Sequence, residues 1–269
     1  MPPHDSHRPR LRALFFDAAG TLFHLSEPVG DTYARIAAKH GVTAEPRALE
    51  NAFRTAWKTL PSPVHPEGTP PADDDRSWWR EVVWLTFVQV TASRDASGAV
   101  DDGADAAAVF EPMFAEMYAH FANAEAWQLY EDTIPALEKL REHASSHGPP
   151  EGAPPPLRLF VLSNFDRRLH PILEGLGIAH FFEKVLLSSE VGTSKPHPRM
   201  FLAALATAAD APASQCLHIG DDEHCDFAGA QTAGMHAALV SRPEVTLLTL
   251  AEKVLQNEFP LAPAAKMHT

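Results

Sequence analysis

The chain has 269 residues, 45% hydrophobic and 21% charged, an ordinary globular composition with room for one large α/β unit or a core plus a smaller partner. Its 35 acidic residues outnumber 22 basic ones, for a formal charge of -13. That balance argues against a nucleic-acid partner, which needs Lys and Arg to neutralise phosphates, yet a local Lys or helix N-terminus can still hold a small anion.

Cys216 and Cys225 lack zinc-like spacing and form no disulfide framework, so a reducing compartment is expected. The opening MPPHDSHRPRLR carries no apolar signal region, and no run reaches the roughly 18 apolar residues of a membrane span. The expectation is a cytoplasmic protein with no membrane partner; oligomeric state is left open.

The first strand signal is RALFFD, 12–17, an apolar run ending on a carboxylate and followed by Gly and Thr. Residues 26–128 then read as wholly helical, with patterns at 31–40, 46–59, 76–92 and 105–122. A helical block after a first strand predicts a second unit, 26–128, inserted into a sheet unit formed by 1–25 and 129–269. Trp78, Trp79, Trp84 and Phe87 recur at helical spacing, which predicts packing between those helices rather than a ligand platform. The stretches 60–75 and 146–156 are rich in Pro and Gly and are expected to be loops.

Beyond the insertion, helical and strand patterns alternate. Helices are expected at 133–144, 167–177, 198–209 and 225–234, and strands at 157–163, 184–188, 215–219 and 236–240. The strands are short and apolar throughout, as strands buried on both faces should be. Such alternation predicts an α/β fold: a Rossmann-like parallel sheet with helices on both faces.

Four polar features fall at the C-terminal ends of these strands, where open α/β sheets bind ligands. They are Asp17, then Ser163-Asn164, then Lys195 in EVGTSKPHP, then Asp221, Asp222 and Asp226 in GDDEHCD. Singly, each is an ordinary turn former or helix cap. Together and in order, they would be collected by one cleft.

In that order, DAAGT, VLSNFD, SKPHP and GDDEHCD resemble the motifs of the haloacid dehalogenase (HAD) superfamily. The segments SNFDRRL, SSEVGTSKPHPRMF and HIGDDEHCDFAGAQTAGM are most similar to the branch around HAD-like hydrolase domain-containing protein 3, the REG-2-like group. The resemblance covers the sheet unit and implies that 26–128 is a helical cap. It implies an Mg2+-dependent phosphatase acting on a small phosphorylated or otherwise anionic metabolite through an aspartyl-phosphate at Asp17. Lys195 would balance charge between Asp17 and the phosphoryl group. Ser163 and the backbone N–H groups of Asn164 and Ala18 would donate to the transferring oxygens, and Thr21 would orient the turn. Asp17, the backbone carbonyl of Ala19 and Asp221 would hold the cation, with Asp226 a further ligand or a supporting group and Asp222 less involved. The physical need is plain, because a carboxylate attacking an anionic phosphoryl group requires its repulsion cancelled.

One position departs from the pattern. Most phosphatases of this type carry a second Asp where this chain has Ala19, and that acid protonates the leaving alcohol and later activates water. Three readings follow: a phosphatase for substrates with good leaving groups, with His24 a candidate substitute acid; a 2-haloacid dehalogenase, whose halide leaves without a proton; or a catalytically weak or silent phosphate-binding protein. The acidic motif GDDEHCD argues for the cation and against dehalogenation. His218, His224 and His236 lie near the expected cleft in sequence without zinc spacing, and packed or solvated roles are expected. Arg35, Arg54 and Trp57 are candidates by type for selecting the leaving group.

Overall fold

A computed structural model of the chain describes residues 10–63, 68–92, 103–145 and 157–258. The expected loop 146–156 and part of the expected loop 60–75 lie outside the described residues. No described helix is long and apolar enough to cross a membrane.

The sheet has five parallel strands: β1 (Ala13–Phe16), β4 (Arg158–Ser163), β5 (Lys184–Leu187), β6 (Cys216–Gly220) and β7 (His236–Leu239), in the order β5-β4-β1-β6-β7. The central strand β1 shows why these runs are continuously apolar. Leu14 and Phe16 face one hydrophobic cluster with Leu159, Val161, Leu217 and Ile219, while Ala13 and Phe15 face the other with Phe160 and Leu162. Phe15 and Phe160 stack with ring centroids 4.9 Å apart. Each fully buried side chain of this size stabilises the fold by about 1.5–3 kcal/mol.

Helices close both faces. On one, α5 (Thr133–Ser145), α6 (Leu169–Gly175) and α10 (Leu247–Leu255) bury Leu137, Leu140, Ile172, Leu173, Leu250 and Val254. On the other, α8 (Pro198–Thr207) and α9 (Gly229–Thr232) bring Met200, Phe201, Ala204 and Ala230. The short helix α7 (Ser188–Val191) follows β5 directly.

The helical stretch after β1 comprises α1 (Val29–Lys39), α2 (Pro46–Thr59), α3 (Arg76–Ala92) and α4 (Gly103–His120). In α1, Val29, Tyr33, Ile36 and Ala37 share one face, and they join Leu49, Val83, Phe87, Phe110, Phe114 and Met117 in an apolar core separate from those of the sheet. Trp79 and Trp84 pack against this core half-buried, and Phe87 lies inside it. Trp78 differs from the sequence expectation: it leaves the core and forms a half-exposed cluster with Trp57 and Trp79, at centroid distances of 5.1–5.5 Å. Its indole N–H donates to the Pro61 carbonyl at 2.8 Å, which turns the ring toward the loop rather than the helix interior.

An antiparallel ribbon of β2 (Phe23–Leu25) and β3 (Trp127–Leu129) joins the two ends of this stretch, pairing Phe23 with Leu129 and Leu25 with Trp127. The chain therefore leaves and re-enters the sheet region through adjacent strands. Three residues each is too short for a periodic signal, and the sequence reading contains neither strand.

Candidate active site

Asp17 follows β1 directly, and its N–H continues the ladder by donating to the Ile219 carbonyl at 2.9 Å. A tight turn follows. The Ala18 carbonyl accepts from the N–H groups of Thr21 and Leu22 at 3.2 and 2.7 Å, and the Gly20 N–H donates to the Phe23 carbonyl at 2.8 Å. Gly20 has φ +95°, and a Cβ there would stand 2.3 Å from Asp221 Oδ2. Gly220, at the end of β6, makes the same allowance for Asp226, whose carboxylate carbon lies 2.2 Å from where a Cβ would be. Two glycines thus open the space into which two carboxylates fold.

Lys195 is buried at the centre of the cluster. Its Nζ donates to Asp17 Oδ1 at 2.7 Å and to Asp226 Oδ1 at 2.6 Å. Ser163, the last residue of β4, donates its hydroxyl to Asp17 Oδ1 at 3.0 Å. Asp17 Oδ2 accepts no hydrogen bond among the described residues. Asp221 follows β6 at the solvent-facing rim, where its Oδ1 receives the Thr21 hydroxyl at 3.3 Å. Ligand atoms of Asp17, Asp221 and Asp226 all lie within 4.8 Å of one another.

The charges explain one another. Burial pushes the Asp17 carboxyl above the usual carboxylate range, and Asp226 and Asp221 add repulsion that the opposing Lys195 charge does not fully cancel. Burial works to lower the Lys195 ammonium, but the charges and hydrogen bonds of Asp17 and Asp226 outweigh it and hold it above the ordinary lysine range. Asp226 is likewise desolvated, yet Lys195 and His218 hold its carboxyl well below the usual range. The pair therefore favours a charged Lys195 and an ionised Asp226.

The N–H groups of Ala18 and Asn164 have no acceptor among the described residues. Asn164 has a further role that the sequence reading lacks: its side-chain amide donates to the Lys195 carbonyl at 2.9 Å while its Oδ1 accepts the Lys195 N–H at 2.6 Å. This two-way pairing fixes the Lys195 backbone against the end of β4. Asp222 caps the wide turn Glu223–Ala228 by accepting from the N–H groups of His224 and Cys225 at 2.8 and 2.6 Å.

The donor set suits a hard divalent cation, which takes oxygen ligands. Carboxylate oxygens converge, and in the turn from Ala18 to Leu22 every carbonyl except that of Ala19 accepts a donor among the described residues. Asp226 is the least available of the three acids. Its Oδ1 accepts from Lys195 and His218, and its Oδ2 accepts the Asp222 N–H at 3.1 Å.

The histidines separate. His218 is fully buried in β6, and its Nε2 donates to Asp226 Oδ1 at 2.8 Å; burial lowers its pKa, so the ring is neutral. His224 is exposed, and His236 begins β7 at the opposite edge of the sheet. His24 sits in β2 with Nδ1 donating to the Leu25 carbonyl at 2.8 Å and its ring 4.7 Å from that of Tyr130. Arg35 and Arg54 pair with Glu27 and Glu50 at exposed positions, and Trp57 is 48% exposed.

Sequence reasoning missed a second buried ion pair beside the site. Arg168 grips Asp166 through Nε and Nη2 at 2.8 and 2.6 Å, and both are buried. Trp79 of α3 donates its indole N–H to Asp166 at 3.0 Å, and the Arg168 guanidinium lies 3.9 Å from the Tyr118 ring of α4. Asp74 accepts the Arg167 N–H at 2.9 Å and the Ser189 hydroxyl at 2.7 Å. The helical stretch is thereby tied to the loop after β4, and the segment that leads into α3 to α7. SNFDRR carries Asp166 and Arg168, but nothing local distinguishes a buried pair from a surface one.

Known proteins match this architecture. A family model described as haloacid dehalogenase-like hydrolase matches residues 11–234. Haloacid dehalogenase-like hydrolase domain-containing protein 3 of Mus musculus is 36% identical over 89% of this chain and 85% of its own. Rhythmically expressed gene 2 protein of Drosophila melanogaster is 27% identical over 86% of this chain and 83% of its own. Among solved structures, a HAD phosphatase from Thermococcus onnurineus aligns with TM-score 0.57 at 19% identity, covering 90% of this chain and 97% of that one. L-2-haloacid dehalogenase from Xanthobacter autotrophicus aligns with TM-score 0.59 at 20% identity, covering 94% and 85%. At these identities the two structures speak to the fold alone, whereas the family model and the mouse relative span most of the chain: it belongs to the haloacid dehalogenase-like hydrolase family.

Proposed function

We propose that this hydrolase is an Mg2+-dependent phosphatase acting on a small phosphorylated metabolite through an aspartyl-phosphate at Asp17. The observation that carries the reading is the buried Lys195 ammonium held between Asp17 and Asp226, with Asp221 at the rim. Lys195 and Ser163 both donate to Asp17 Oδ1, which leaves Oδ2 as the attacking oxygen.

In this reading Oδ2 bonds to phosphorus as the ester P–O bond breaks, and the leaving oxygen departs with the bond pair. Lys195, Ser163 and the N–H groups of Ala18 and Asn164 hold the phosphoryl oxygens as charge moves. Water then attacks the aspartyl-phosphate, inorganic phosphate leaves and Asp17 is regenerated. A magnesium ion held by Asp17, the Ala19 carbonyl and Asp221 would supply electrostatic neutralisation of the phosphoryl charge. Asp226 serves from behind, orienting Lys195.

Ala19 has no proton to give, so the leaving group must depart as a stable anion. Acyl and aryl phosphates meet that requirement, and alkyl phosphates do not. Residues 26–128 act in this reading as a cap that closes over the substrate and excludes water. The test is a panel of acyl, aryl and alkyl phosphates with and without magnesium, on the wild type and Asp17→Asn. Magnesium-dependent turnover of the first two classes that disappears in Asp17→Asn is expected. Turnover surviving in Asp17→Asn overturns the nucleophile, and chloride release from 2-chloropropionate in its place would transfer the reading to dehalogenation.

A further inference from the structure

The carbonyls of the turn after β1 are satisfied from two sources. Ala18 is served by the turn itself, and Leu22 by the Tyr130 N–H at 3.3 Å and the Thr133 hydroxyl at 2.7 Å. Gly20 and Thr21 depend on one side chain from the far end of the chain. Arg242, in the loop after β7, donates from Nη1 to the Gly20 carbonyl at 3.3 Å and from Nη2 to the Thr21 carbonyl at 2.9 Å.

The guanidinium is itself oriented by two groups. Nε and Nη2 donate to Asp132 Oδ1 at 3.1 and 3.0 Å, and the Tyr130 ring lies 3.7 Å from the guanidinium carbon. Asp132 is fixed in turn, because its Oδ2 accepts the N–H groups of Leu247 and Leu248 at the start of α10. A planar fork with several donors suits this task better than an ammonium, which can meet fewer of these acceptors at once.

We infer that Arg242 is a positioning residue for the turn that carries Asp17: by holding the Gly20 and Thr21 carbonyls outward, it leaves the Ala19 carbonyl as the one free to face the cation site. Gly20 with φ +95° has no side chain to resist rotation of these peptides; the Ala18 carbonyl holds their N–H ends within the turn, and Arg242 adds the grip on their carbonyl ends. Thr21 lies under the same grip, and its hydroxyl is what meets Asp221. The link therefore runs from Arg242 through the turn to two of the expected cation ligands.

The catalytic consequence rests on the phosphatase reading above, and the experiment separates the two. Wild type, Arg242→Met and Arg242→Lys are compared for magnesium affinity by calorimetry and for kcat and KM with p-nitrophenyl phosphate. Thermal melting and amide exchange at Gly20, Thr21 and Leu22 are measured alongside. Arg242→Met is expected to weaken magnesium binding and lower kcat by about tenfold or more each, with KM changed less than about twofold. Arg242→Lys should recover part of both. Loss of stability alone, with affinity and kcat as in wild type, reduces Arg242 to a structural tie and overturns the inference. If wild type neither binds magnesium nor turns over the ester, the phosphatase reading fails. Exchange then decides: at least about tenfold faster exchange at the three turn amides of Arg242→Met, with the β4 amides unmoved, supports positioning, and unchanged exchange overturns it.

Discussion

Lys195 Nζ stands 2.7 Å from Asp17 Oδ1, although 178 positions of sequence separate the two residues. Strand order explains the meeting. Asp17 follows the central strand β1, Ser163 ends its neighbour β4, and the chain carrying Lys195 returns from β5 on that side, while Asp221 and Asp226 leave β6 on the other. The crossover point of the sheet therefore gathers one cation and three acids.

Removing that cation should be costly. Lys195→Met leaves Asp17 and Asp226 buried without it, and we expect about 3 kcal/mol lower stability at pH 7 in the absence of divalent cations. The deficit should shrink as pH is lowered, because one of the two carboxylates protonates and the repulsion falls. Urea unfolding at pH 7 and at lower pH checks this, and an equal loss at each would show that packing rather than charge is responsible. On the phosphatase reading, phosphate-ester turnover should also fall by at least about 10²-fold.

On the phosphatase reading, Ala19→Asp would supply a proton donor to the turn. On alkyl phosphates, with leaving groups that need a proton, a gain of about 10²-fold or more in kcat/KM is expected. On aryl phosphates the gain should be small, because those leaving groups depart unaided. A uniform gain on both classes would point to altered cation binding in place of acid catalysis.

Gly20→Ala tests the space for Asp221. The added methyl would lie 2.3 Å from Asp221 Oδ2 at a backbone φ of +95°, so both strain and displacement of the carboxylate follow. A loss on the order of 1–2 kcal/mol is expected, and magnesium affinity by calorimetry should fall with it. Retained affinity would mean that Asp221 has another place to go.

Asp75 predicts a pH dependence away from this site. It is buried beside α3, with a left-handed φ of 62°. Burial, then the charges of Asp166, Asp74 and Asp73, push its pKa up to about 7, against the opposing Arg168. A folded pKa above the unfolded one means that folding takes up a proton. Stability from this residue is thus full below about pH 4 and is lost as pH rises through about 7. Asp75→Asn should therefore raise stability at pH 8 by on the order of 1–2 kcal/mol, seen as a higher melting temperature, and leave it near wild type at pH 4. A variant destabilised equally at both values would locate the role of Asp75 in a hydrogen bond to its carboxylate.

The sequence by itself determined what repeats locally or alternates. Continuous apolar runs such as ALFF and LFVL specify strands with both faces covered, and the acids, Ser and Lys at their C-terminal ends mark one rim of a parallel sheet. Only the tertiary structure decided which donors and acceptors meet. His218 reads as one histidine among 15 until β6 presents it to Asp226, and Arg242 and Asp132 carry no motif at all. The physical reason is range. Strand and helix patterns arise from neighbours a few positions apart, whereas the hydrogen bonds that orient the turn and the lysine span up to 222 positions and exist only once the sheet has closed.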